Sequence, residues 1–234
     1  MAGEYIFTMR DLRKVVPPSK EILKGIYLSF YPGAKIGVLG ANGAGKSTLL
    51  RLLAGLGRPT QGQVRVFGLD PEKEPVPVRQ RATWMTDDQA IYDLPVRDLL
   101  RFVSGFYPRW DAALADSLLD RFGLDGRAQA SALNKGMGTR LRLVLAMAPR
   151  PDLLLLDEPG TGLDLAGRRA LLQSVLEVMG DPGRAVVVSS HDLPAVERLA
   201  DRVVVLEQGR VRLDAPMETV LEQGLATTLE GGAS

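Results

Sequence analysis

Short apolar runs at 34–39 (AKIGVL), 153–156 (LLLL), 185–189 (AVVVS) and 203–206 (VVVL) have the length of buried strands, and they are spaced by stretches with apolar residues at helical intervals. Such near-continuous hydrophobicity implies a parallel sheet covered on both faces. Residues 4–12 and 25–30 instead alternate apolar with polar, as half-buried strands do, and Pro17 and Pro18 force an extended turn between them. With a further strand at 63–67 these predict a flanking antiparallel subsheet. Residues 70–80 (DPEKEPVPVRQ), rich in proline and charge, are expected to form a loop. From Leu94 to Ala148 the period is helical throughout: Val96 to Phe106 opens on Pro95, and Asp111 caps a helix that runs to Phe122 and stops at Gly123. Gln208-Gly209 offers a hairpin turn into a strand at 210–213, Met217 to Leu225 predicts a last helix, and LEGGAS at 229–234 a frayed tail. The sum is an α/β fold over 1–234: a mostly parallel core with an antiparallel β-subdomain (1–93 and 149–234) and an inserted helical lobe at about 94–148.

Composition narrows the function classes. The chain has 234 residues, enough for a substantial core, and a net charge of +1, so no global field draws it to nucleic acid or anionic lipid. The absence of cysteine excludes disulfides, thiolate metal sites and cysteine nucleophiles. No run of eighteen apolar residues occurs and Met1 to Arg10 lacks the apolar stretch of a secretory signal. A soluble, cytoplasmic chain is expected, reaching a membrane only through a partner.

GANGAGKST at 40–48 fits the phosphate-loop pattern with Gly40, Gly45, Lys46 and Ser47, and it lies between a predicted strand and a predicted helix. Glycines at 40, 43 and 45 let successive N–H groups turn toward phosphate, Asn42, Ala44 and Thr48 complete the loop, and the helix N-terminus adds partial positive charge. Lys46 would reach the β- and γ-phosphates, and Ser47 would bind Mg²⁺. A turn that binds nothing would need neither residue. Next, Asp157 and Glu158 follow four leucines at the edge where open α/β sheets bind ligands. Asp157 would hold Mg²⁺ and Glu158 would polarise the attacking water; an N-terminal cap pair is the other reading. His191, the sole histidine, follows the third apolar run and would reach the γ-phosphate.

The order of these motifs resembles the nucleotide-binding cassette of the ATP-binding cassette (ABC) superfamily over residues 4 to about 225: phosphate loop, LNKGM at 133–137, LLLLDEP at 153–159, TGLD at 161–164, then His191. The resemblance implies a P-loop NTPase core, ATP and Mg²⁺ as ligands, and Mg²⁺-dependent hydrolysis. It also implies a sandwich dimer in which Asn134, Gly136 and Met137 of one cassette meet the nucleotide of the other, through a helix beginning near Thr139. Asp164 would couple the two sites, and His191 would fix Glu158 to the γ-phosphate. In the switch segment WMTDDQ at 84–89, alignment by the strand points to Asp87 as the catalytic and metal-side residue, with Gln89 as the alternative. Where the family carries an adenine-stacking aromatic, this chain has Val16 and Pro17.

Two further likenesses bear on partners. The KGM ending and FYPRWD at 106–111 resemble bacterial exporter cassettes, which implies a transmembrane permease subunit and a receiving groove drawn from Ile91, Tyr92, Leu94, Phe102, Phe106, Tyr107 and Trp110. Residues 1–60 resemble the first cassette of ABC-F translational throttle proteins, which raises a soluble ribosome-associated ATPase as the alternative. Together the two suggest a mosaic or engineered cassette joined between Leu56 and Gly68.

Overall fold

The computed structural model describes residues 5–191 and 193–225. The chain opens with β1 (Phe7–Val16), β2 (Lys20–Phe30), β3 (Lys35–Leu39), α1 (Lys46–Leu53), β4 (Gln61–Val66), α2 (Pro75–Arg81) and β5 (Ala82–Thr86). Helices α3 (Val96–Ser104), α4 (Ala112–Phe122) and α5 (Lys135–Met147) follow, with a 3-10 turn at Ala130–Ala132. Then come β6 (Leu153–Asp157), α6 (Leu165–Val178), β7 (Ala185–Ser190), α7 (Leu193–Val196), β8 (Arg202–Glu207), β9 (Arg210–Pro216) and α8 (Met217–Gln223).

Six strands form one sheet in the order β5-β6-β7-β3-β8-β9, parallel except for the β8–β9 hairpin. The others pair antiparallel as β2-β1-β4. Strand alternation explains the layering, because successive side chains leave a strand on opposite faces. Leu154 and Leu156 join the core built with the helices of 96–147 and α6, whereas Leu153 and Leu155 join the leucines of α1 and the inner face of the small sheet. All four leucines are fully buried, each stabilising the fold by about 2 kcal/mol of transfer free energy. Between β5 and β6 the chain contains helices and no strand, as the sequence predicts.

Three expectations need correction. Residues 75–81 are helix rather than loop: Pro75 and Pro77 suit a first helical turn, and Val78, fully buried, anchors the helix to the core. The helix expected near Thr139 starts earlier, at Lys135, because Asn134 caps it by accepting the Met137 N–H at 2.9 Å. The first strand extends to Val16, carrying the turn to Pro17–Ser19. Glu4 and the tail at 229–234 lie outside the described residues. Among the described residues, no helix is long and apolar enough to cross a membrane.

Candidate functional site

Loop 40–48 joins the C-terminal end of β3 to α1. Gly43 (φ 83) and Gly45 (φ 109) take left-handed conformations that a side chain would strain. At Gly40 a Cβ would stand 2.4 Å from the Leu206 carbonyl oxygen, so only hydrogen lets the loop lie against β8. Helix α1 has no acidic residue in its first turn, and the partial positive charge of its N-terminus is left to the loop.

Lys46 is buried, at 6% exposure. Its ammonium donates to the Gly40 carbonyl at 2.6 Å and the Ala41 carbonyl at 3.4 Å, and lies 3.3 Å from Glu158 Oε1. A buried cation is tolerated only with such partners. Around it is a cavity of about 210 Å³, walled by residues 41–48 of the loop, Glu158, and Lys20 and Ile22 of β2. Asn42, Gly43, Ala44, Gly45, Lys46, Ser47 and Thr48 thus all line one space.

Glu158 meets this cavity at the end of β6, directly after Asp157. Asp157 is buried at the strand end, opposite Ser189 in the parallel β6–β7 register. Ser189 donates its hydroxyl to Asp157 Oδ1 at 2.5 Å, and the Ser189 hydroxyl oxygen in turn accepts the Glu158 N–H at 3.1 Å. One hydroxyl therefore fixes both acids. Glu158 bends out of the strand with φ 49, an uncommon conformation for its type, and its two oxygens meet different partners: Lys46 at Oε1, and His191 Nδ1 at 3.1 Å from Oε2. Asp157, Glu158, His191 and Lys46 are brought together. Ser189 escaped the sequence reading, although LLLLD and AVVVS both end on a polar residue at the fifth position, which register pairing would have aligned.

Asn134, Gly136, Met137 and Asp164 do not line this cavity. Asp164 caps α6 by accepting the Gly167 N–H at 2.7 Å and pairs with Arg140 of α5 at 3.0 Å; these two contacts hold its carboxyl below the usual carboxylate range. A Cβ on Gly136 would meet the Gly162 carbonyl at 3.0 Å, so the start of α5 is packed against the TGLD segment.

Two predicted site residues stand outside the cavity wall. The Asp87 carboxylate meets Lys135 Nζ at 2.9 Å and accepts the Thr139 hydroxyl at 3.2 Å. Gln89 is exposed, and its carbonyl accepts Arg142 Nε at 2.8 Å. Val16 is not part of the cavity wall; the turn at 17–19 separates it from Lys20 and Ile22, which are. Of the apolar groove candidates, Tyr92, Phe102 and Phe106 stand exposed in a chain of edge contacts, with centroids 5.7 and 5.3 Å apart. Ile91, Leu94 and Trp110 instead pack partly buried against the helical core, and Tyr107 is half-buried.

Comparison with known proteins agrees with the geometry. The ABC transporter family model matches residues 23–161. The phosphonates import ATP-binding protein PhnC of Alcaligenes faecalis is 33% identical over 91% of this chain and 83% of its own length. The energy-dependent translational throttle protein EttA of Haemophilus influenzae is 33% identical over 89% of this chain but 42% of its own. A solved ATP-binding subunit of an ABC transporter superposes with a TM-score of 0.85 at 25% identity, over 97% of each chain. Alignments of this extent must cross residues 56–68, so single relatives account for both halves and a join there is not needed. The packing agrees, since the leucines of α1 share one core with Leu153 and Leu155. With its phosphate loop and Glu158 lining one cavity and with Asp157 and His191 beside Glu158, the chain belongs to the ABC transporter family, as an ATP-binding cassette that hydrolyses ATP.

Proposed function

We propose that this cassette drives a membrane transporter by Mg²⁺-dependent ATP hydrolysis within a sandwich dimer, and the observation that carries the reading is Glu158 held between Lys46 and His191 at the cradle. Loop N–H groups and Lys46 bind the β- and γ-phosphates and stabilise the charge that spreads over the γ-phosphoryl oxygens. Glu158 orients water in line with the scissile bond and takes its proton, and His191 fixes the Glu158 carboxylate while facing the γ-phosphate. Among the described residues no cluster of three His, Cys, Asp or Glu forms a closed metal cage, which fits an ion shared between one or two protein oxygens and the substrate's own phosphates. Ser47 and Asp157 would hold Mg²⁺, which when bound neutralises charge on the phosphates.

Asn134, Gly136, Met137 and Asp164 stand apart from their own chain's cavity, and this supports their action on the nucleotide of a second cassette. A transmembrane permease subunit is the further partner, received at the exposed ring chain Tyr92–Phe102–Phe106, and it would hold the cassette at the cytoplasmic face of the membrane. The ribosome-associated alternative is less well supported, because the net charge is only +1 and the likeness to EttA spans under half of that protein. Phosphate release tests the reading: the wild type should turn over ATP, and Glu158→Gln should bind ATP yet release almost no phosphate. Full turnover by Glu158→Gln would remove Glu158 from the mechanism.

A further inference from the structure

The chain has no cysteine to tie its strands covalently, but it has five tyrosines, and two of these meet at one end of the small sheet. Tyr5 stands just before β1 and Tyr31 directly follows β2. The last register pair between those strands is Phe7 with Phe30, and the Ile6 N–H donates to the Phe30 carbonyl at 2.8 Å, so the pairing carries both backbones up to the tyrosines. The adjoining Phe7 and Phe30 rings, both buried, are in contact with centroids 5.3 Å apart. The Tyr5 and Tyr31 rings stack with centroids 4.5 Å apart and planes inclined by 21°, and the Tyr31 hydroxyl donates to the Tyr5 oxygen at 3.3 Å. Ring centres and hydroxyls are thus both aligned, and the ortho carbons, which lie between them, face each other across the same gap. Both rings are open to solvent, at 39% and 52% exposure. Among the described residues no other pair of tyrosines is in ring contact.

A phenol that loses one electron and its hydroxyl proton becomes a phenoxyl radical with much of its unpaired spin on the ortho carbons. Two such radicals held in this arrangement join by a carbon–carbon bond between one ortho carbon of each ring. The hydrogen left on each newly bonded carbon then moves to its own ring's oxygen, which restores both hydroxyls. The two tyrosines thereby give up two electrons and two protons, which one molecule of hydrogen peroxide takes up as it becomes two waters. The geometry points to Tyr5 and Tyr31 as an oxidative cross-linking site, at which a peroxide-fed one-electron oxidant staples the open end of the β1–β2 pair. The bridge closes a loop that contains both strands, and it restricts the unfolded chain as a disulfide does. Proximity selects this pair: Tyr27 and Tyr92 are more exposed, yet neither stacks on a phenol.

Treatment of the wild type, Tyr5→Phe, Tyr31→Phe and Tyr27→Phe with hydrogen peroxide and a haem peroxidase, at low protein concentration, tests the inference. The wild-type monomer should acquire dityrosine fluorescence. Its tryptic digest should contain peptide 1–10 joined to peptide 25–35 at two hydrogens below their summed mass, with fragmentation placing the bond at Tyr31 and not at Tyr27. Tyr5→Phe and Tyr31→Phe should each lose the monomer fluorescence by about tenfold or more, and Tyr27→Phe should keep it. Phenylalanine retains the ring and its stacking, so each variant keeps the fold. The oxidised wild type should also melt about 5–10 °C above Tyr5→Phe treated in the same way. Fluorescence confined to dimers, a bond to Tyr27, or an undiminished signal in Tyr5→Phe would overturn the site, and equal melting temperatures would overturn the staple.

Discussion

Lys46 Nζ lies 3.3 Å from Glu158 Oε1, so the cation proposed to bind phosphate and the acid proposed to activate water neutralise each other at the cavity. Arriving phosphates would compete for this ammonium, leaving Glu158 held by His191 and Ser189 alone. Lys46→Ala should therefore abolish measurable hydrolysis and weaken ATP binding, while circular dichroism stays native, because the loop is shaped by its glycines. Wild-type turnover by Lys46→Ala in a phosphate-release assay would refute the assignment.

Ser189 makes the second link. Its hydroxyl donates to the buried Asp157 and accepts from the Glu158 backbone, so Ser189→Ala strips a buried carboxylate of its donor. Urea unfolding should record a loss of about 1–3 kcal/mol, with turnover reduced in parallel. Unchanged stability and turnover would mean that Asp157 is held by other groups.

Asp87 is expected to act through α5. Its carboxylate bridges the end of β5 to Lys135 and Thr139, so Asp87→Ala should lower turnover without altering the Mg²⁺ concentration for half-maximal rate. A marked rise in that concentration would return Asp87 to the metal side of the site.

Asp111 anchors α4. The Leu114 N–H above all, and then Arg150, hold its carboxyl below the usual carboxylate range. A depressed pKa stabilises the fold above the unfolded-state value and loses that contribution as pH falls through the folded value. Asp111→Ala should cost about 1 kcal/mol near neutrality as a lost helix cap, and the gap from wild type should shrink below about pH 4. Denaturant midpoints of both proteins across pH 3–7 measure it, and a gap that widens toward low pH would contradict the sign.

The phosphate loop, the paired acids and the α4 boundaries were legible because each is written in local chemistry: glycines before a lysine, acids after four leucines, an aspartate and a glycine bracketing a helix. Helix α2 was hidden because its two prolines and its charges look like a loop until Val78 finds the core. The surroundings of Asp87 and Val16 were not legible for a different reason. Their partners come from residues far along the chain or across a turn, Lys135 for the first, while Lys20 and Ile22 take the wall assigned to the second. Spacing along the sequence carries little of that information. Ser189 was similarly invisible until β6 and β7 were set in register.

The dimer is tested most directly by light scattering after size exclusion of Glu158→Gln, with and without ATP. Removing the Glu158 charge blocks water activation and relieves repulsion against the γ-phosphate, which at about 4 Å and an effective dielectric of about 20 amounts to roughly 4 kcal/mol. Without nucleotide the protein should elute as a monomer; with saturating ATP it should elute at twice that mass. A monomer at saturating ATP would contradict the sandwich and leave Asn134, Gly136 and Met137 with no nucleotide to act on.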